Sequence, residues 1–169
     1  PGRQRIPDVL AAMLEVAPRL VAPPDVAARV AANLRKEPEP GARLQSLLLL
    51  AREFPSHPAT REALLAGRSD PSPEVRLRAS MALGEEGRDT LLALASGEGV
   101  GDGVAAHAVS VLGARIPTDV GLAVLRRALS EGGRPETAVA SLDALGAAGR
   151  AEAEWPAIEA LRSAAAPVR

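Results

Sequence analysis

The chain has 169 residues, 47% hydrophobic and 24% charged, with a formal net charge of -1. A chain of this size fits one domain with a buried core, and near-neutrality removes the field that drives general nucleic-acid binding. There is no cysteine, which excludes disulfides, thiolate zinc sites and cysteine nucleophiles, and Phe54 and Trp155 are the only aromatics of the Phe/Trp/Tyr set, which leaves little to stack on bases or sugars.

The hydrophobic share is mostly Ala, Leu and Val, side chains with high helix propensity that suit close helix packing. No apolar run approaches the ~20 residues that span a bilayer, and no signal peptide is visible. A cytoplasmic protein is expected, although the lack of cysteine itself leaves the compartment open. The first residue is Pro1 rather than Met, so the chain is expected to be a piece of a longer protein.

In chain order, the predicted elements repeat one pattern. The first copy opens at Pro7 with "IPDVLAAMLEV" and continues in "PPDVAARVAANLRK", residues 23–36. The second runs from Pro40 to Ala51, then "ATREALLAG", 59–67. The third runs from Pro73 to Gly84, then "RDTLLALAS", 88–96. The fourth runs from Asp102 to Gly113, then "TDVGLAVLRRALSE", 118–131. The fifth runs from Pro135 to Gly146, then "AEWPAIEALRSA", 153–164. Openings at 7, 40, 73, 102 and 135 give steps of 33, 33, 29 and 33.

Columns agree across copies. Leu50, Leu83, Leu112 and Leu145 precede the closing residue, with Ala17 in the first copy, and Ser46, Ala79, Ala108 and Ser141 form a small-residue column, with Met13 in the first copy. Ala11, Leu44, Leu77, Ala106 and Val139 form an apolar one. Apolar residues on more than one face mark a helix sandwiched between neighbours. Proline suits the first helical turn, and glycine the left-handed C-terminal cap. Leu122, Leu125 and Leu129 fall at helical spacing in the second stretch of copy four. The pattern predicts an all-α chain of about five antiparallel helix pairs, each burying its apolar faces against the next, which is the physics of a solenoid.

"DPSPEVRLRASMALGEEG", Asp70 to Gly87, resembles the HEAT-like repeat of the bilin-lyase type, roughly D-x-x-P-x-V-R-x-x-A-x-x-A-L-G-x-x-G. Asp70, Pro73, Val75, Arg76, Ala79, Ala82, Leu83, Gly84 and Gly87 match it. Copy four keeps Val104, Ala108, Leu112 and Gly113; copy five keeps Pro135, Leu145 and Gly146. The resemblance implies a right-handed α-solenoid, an armadillo-type superhelix with first helices convex and second helices concave. On this reading, residues 1–169 are one HEAT-like domain with repeats at 6–37, 38–69, 70–99, 100–132 and 133–167. Members of that family mostly act as binding scaffolds, and a few branches are enzymes or bind nucleic acid. The expected function is a non-catalytic scaffold that binds a protein partner, with no cofactor, metal or small-molecule substrate. A nucleic-acid-binding solenoid and a bilin-lyase-like enzyme subunit are the alternatives. The first is opposed by the charge and the scarcity of aromatics. The second is opposed by the lack of a dedicated nucleophile, base or tyrosine.

Individual motifs weigh the same way. "GEGVGDG", 97–103, follows a helix, contains no Lys or Arg and lacks a phosphate-loop lysine, so it reads as a joint that is locally mobile or bends the stack. His57 lies in a turn and His107 in a tolerant, mostly polar column that predicts a solvated side chain, so neither reads as a ligand. Ser72, before Pro73, is the best candidate N-cap. Glu85 and Glu86 read as a solvated turn. In the family, the arginine after valine commonly bonds an aspartate of a neighbouring repeat; here only Arg43 and Arg76 keep that column, and Arg76 is read as tying down a turn. The candidate partner-binding surface is Arg61, Arg126, Arg127 and Arg162, all on second helices, where arginine favours an acidic partner. Trp155 is expected to cover the end of the core.

Overall fold

The computed structural model describes residues 23–97, 99–130, 134–149 and 151–165. These are helical, with no strand among them. Helices α1 (Pro23–Leu34), α2 (Pro40–Glu53), α3 (Pro58–Gly67) and α4 (Pro73–Leu83) are followed by a 3-10 turn, Gly84–Gly87. Then come α5 (Arg88–Ser96), α6 (Asp102–Leu112), a 3-10 turn at Gly113–Arg115, α7 (Thr118–Ser130), α8 (Pro135–Ala148) and α9 (Ala151–Ala165). The predicted first helix of copy one lies outside the described residues.

Pro40, Pro58, Pro73 and Pro135 each start a helix, where the missing N–H is one the helix leaves unpaired anyway. Two closing glycines take a positive φ but not the expected left-handed cap. Gly84 (φ 61°) and Gly113 (φ 51°) end α4 and α6 with positive φ. Their ψ values of -120° and -136° turn the chain into the 3-10 segments instead of the left-handed helical cap. Copy five differs: α8 runs past Gly146, and Gly149 (φ 60°, ψ 26°) takes the left-handed cap.

The chain separates into two compact units, residues 1–87 and 88–169. The division falls inside the third predicted repeat, between the turn after α4 and α5, upstream of the glycine run.

In the first unit, α1 packs on α2 and α3, α2 on α3 and α4, and α3 on α4. Helices next-but-one in sequence therefore lie side by side. Their shared core joins Val26, Val30 and Leu34 of α1 to Leu47 and Leu50 of α2, Ala63 and Leu64 of α3, and Val75 and Ala79 of α4. In the second unit, α5 packs on α6 and α7, α6 on α8, α7 on α8 and α9. Leu122 and Leu125 of α7 meet Ala138 and Leu145 of α8 and Ala153 and Ala160 of α9. Of the small-residue column, Ala79, Ala108 and Ser141 are fully buried, whereas Ser46 is half-buried.

Candidate functional site

The most developed polar geometry in the first unit joins neighbouring copies of the pattern. Arg43 of α2 donates to Asp70 through Nε (2.8 Å to Oδ2) and Nη2 (2.7 Å to Oδ1). Its Nη1 donates to the carbonyls of Glu37 and Pro38. Asp70 Oδ1 also accepts the Ser72 amide. Burial pushes the Asp70 carboxyl up, but the Arg43 hydrogen bonds, the Ser72 amide and the charges of Arg43 and Arg76 outweigh it and hold the group below the usual carboxylate range. Arg76 repeats the carbonyl half of this arrangement, its Nη1 donating to Asp70 O and Pro71 O. Arg76 thus ties down its own turn.

Ser72 does not cap α4. Its backbone has the extended conformation of an N-cap, yet its hydroxyl bonds Glu74 Oε2, 3.0 Å away. Asp70 already holds the Ser72 amide and fixes the turn, so the hydroxyl is left for the nearest carboxylate. His57 does cap α3, its Nδ1 accepting the Ala59 amide at 3.2 Å. Glu86 accepts from Arg61 Nη2 (2.9 Å) through its carboxylate and from Arg68 through its carbonyl.

In the second unit the corresponding tie is made by different residues. Asp102, first in α6, accepts the amides of Glu136 (3.0 Å) and Thr137 (2.9 Å) and the Thr137 hydroxyl (2.6 Å). A residue of copy four therefore caps the first helix of copy five. Burial raises the Asp102 pKa, but the Thr137 hydroxyl, the two amides and the Arg134 charge bring it below the ordinary value. Arg134 donates to the carbonyl of Val100, which is buried. The C-terminal half of "GEGVGDG" is thus anchored: it supplies a core side chain, an acceptor and a helix cap. Sequence reading gave it the role of a joint, because a cap offered to another copy leaves no local spacing signature.

The four candidate arginines are divided between the two units. Arg61 is in the first unit, exposed and paired with Glu86. Arg126 and Arg127 are on α7 and Arg162 is on α9, in the second. Arg126 is exposed, Arg127 is half-buried and donates to Ser96 O at 2.8 Å, and Arg162 lies 5.4 Å from the Trp155 ring centroid. Trp155 does not cover the core. It is 63% exposed, because α9 begins at Ala151 and carries Trp155 and Pro156 one turn in.

Two grooves flank α8. One, of 620 Å³, lies between α6 and α8, with His107, Ser110, Glu136, Val139 and Asp143 in its walls. His107 is half-buried there, where its column predicted solvation. The other, of 490 Å³, lies between α8 and α9 and is lined mainly by Leu142, Leu145, Ala157, Ile158 and Leu161, with Glu154 at its edge. Val139 was read as a core position from its column; it is exposed. Among the described residues no three His, Asp or Glu side chains gather to hold a metal, and no helix is long and apolar enough to cross a membrane.

No family model, curated protein or solved structure matches the chain.

Proposed function

We propose that each unit is a stretch of HEAT-like α-solenoid and that the protein works without catalysis, by presenting helical-repeat surface to a protein partner. The supporting observation is the recurrence of the same geometry along the chain. Arg43 and Arg76, 33 residues apart, grip the carbonyls six and five residues before themselves. Helices next-but-one in sequence pack together in both units. A row of pairs built this way has a core running along it and flanks left over for recognition.

On this reading the second helices carry the recognition, and Arg126 is the residue to test. It is exposed on α7, off the buried Leu122–Leu125 stripe, whereas Arg127 is held by Ser96. An acidic or phosphorylated protein segment is the partner chemistry that suits it. Affinity capture with wild type and with R126E as baits, read by mass spectrometry, checks this. The wild type should retain a partner that R126E loses. Identical recoveries would put the recognition surface elsewhere.

A further inference from the structure

The large apolar side chains exposed among the described residues are Leu48, Val139, Trp155 and Leu161, and the last three belong to one helix pair, α8 and α9. The 33-residue register shows what those positions do one copy earlier. Trp155 (63% exposed) corresponds to Leu122 (8%), Leu161 (40%) to Ala128 (4%) and Val139 (59%) to Ala106 (8%). Leu142 and Ile158, both half-buried, correspond to Val109 and Leu125, which are fully buried. In copy four the covering layer is α8 and α9 themselves, laid on α6 and α7. They turn small side chains to that floor, Ala138, Ala153 and Ala160 sharing a core with Leu122 and Leu125. The α8–α9 groove is therefore the continuation of an interface already occupied inside the molecule.

Charge distinguishes among occupants. The described residues of α8 and α9 include Glu136, Asp143, Glu152, Glu154 and Glu159, all exposed, against Arg162 alone, which is engaged over Trp155. Asp143 follows Val139 by one turn, Glu159 follows Trp155 by one turn, and Glu154 edges the groove. Two copies meeting through this face would oppose like charges, which costs affinity. We propose that the α8–α9 face docks an amphipathic helix of a partner protein, its small-residue apolar stripe seated on Leu142, Ile158 and Leu161 and its Lys or Arg flanks set against Glu154 and Glu159. The inference rests on reading the chain as a protein-binding module, but it uses residues of α8 and α9, whereas Arg126 is on α7.

Trp155, the only tryptophan, sits beside the groove and reports on it. The probe is a synthetic helix of about 18 residues, roughly 27 Å long, with Ala and Leu at i, i+3, i+4 and i+7 and Lys on both flanks. A control peptide has Glu in place of Lys. The Lys peptide should give a saturable blue shift of Trp155 emission, and the Glu peptide should not. L161S should weaken binding by about tenfold, as should the surface variant E154K/E159K, which carries the test if L161S loses its helical circular dichroism. L48S and R126E should bind like wild type, so failure here and failure of the Arg126 surface are separable. No shift with the Lys peptide, or equal binding of both peptides, overturns the proposal. So does sedimentation showing a dimer that L161S dissolves, since the occupant would then be a second copy.

Discussion

Arg43 and Asp70 meet through two parallel hydrogen bonds, 2.7 and 2.8 Å long, across 27 residues of sequence, with side chains only 12% and 9% exposed. The aspartate organises the turn before α4 while the arginine holds the carbonyls before α2, so one pair fixes two turns of neighbouring copies. Removing either partner strands a mostly buried charge. R43A and D70A should each cost about 2–4 kcal/mol in denaturant unfolding, with the double variant costing far less than the sum. R43K should recover little, because an ammonium cannot supply both prongs and the carbonyl bonds together. R76A, which gives up carbonyl bonds without such a pair, should cost about 1 kcal/mol. Equal costs for R43A and R76A would remove the pair from this account.

The same pair sets a pH dependence. The Asp70 carboxyl is held below its ordinary value in the folded protein, and so is Asp102. In the unfolded chain each titrates near about 3.9. Between those values the unfolded state binds more protons, so the stabilisation is complete above about pH 5 and is lost as pH falls through the ordinary carboxylate range toward the folded value. D70N gives up that contribution at neutral pH. The stability difference between wild type and D70N, measured by urea unfolding from pH 7 to pH 3, should therefore shrink on acidification. A difference constant with pH would mean that the carboxylate charge is not what stabilises the turn.

Much of the fold was legible because helix-forming signals are local. Pro40, Pro73 and Pro135 start helices as predicted, α5 spans the predicted 88–96, and of the Leu122–Leu125–Leu129 stripe the first two are buried and the third half-buried. What was not legible depends on neighbours. Val139 belongs to an apolar column, but a column gives only the face a residue points from, and burial requires something packed on that face. Ser72 has the type and position of a cap, yet Asp70 reaches the Ser72 amide and sets the turn. Helix faces alone place the candidate arginines; the tie of Arg127 to Ser96 is a tertiary fact, whereas Arg162 and Trp155 meet two turns apart on the same helix, a spacing present in the sequence.

The two candidate caps give opposite expectations. D102A removes the acceptor for two amides at the start of α8, leaving the Thr137 hydroxyl only the Asp102 carbonyl at 3.2 Å, and should cost about 1–2 kcal/mol, a drop of roughly 2–8 °C in Tm. D102N keeps an acceptor oxygen but loses the charge, and should fall between D102A and wild type. S72A removes a hydroxyl that bonds only the exposed Glu74 and should stay within about 0.5 kcal/mol of wild type. Thermal melts of the three variants side by side decide the matter. A larger loss for S72A than for D102A would restore the reading that spacing alone suggests.

Gly121 is the fourth residue of α7, where helix propensity alone favours alanine by about 1 kcal/mol. Packing opposes the change. A Cβ there would stand 2.9 Å from Leu145 Cδ2, 3.3 Å from Leu145 Cγ and 3.5 Å from Ile116 Cγ2. Leu145 and Ile116 are both buried, so the leucine cannot withdraw without disturbing the contact of α7 with α8, and overpacking of this kind costs about 1–3 kcal/mol. G121A should therefore destabilise by about 1 kcal/mol net. Gly146, inside α8, has open space where its Cβ would be. G146A should gain about 0.5–1 kcal/mol from propensity alone. Trimming the obstruction tests the cause: in an L145A background, G121A should turn neutral or stabilising. If G121A is destabilising there by the same amount, the contact with Leu145 is not why glycine occupies that position.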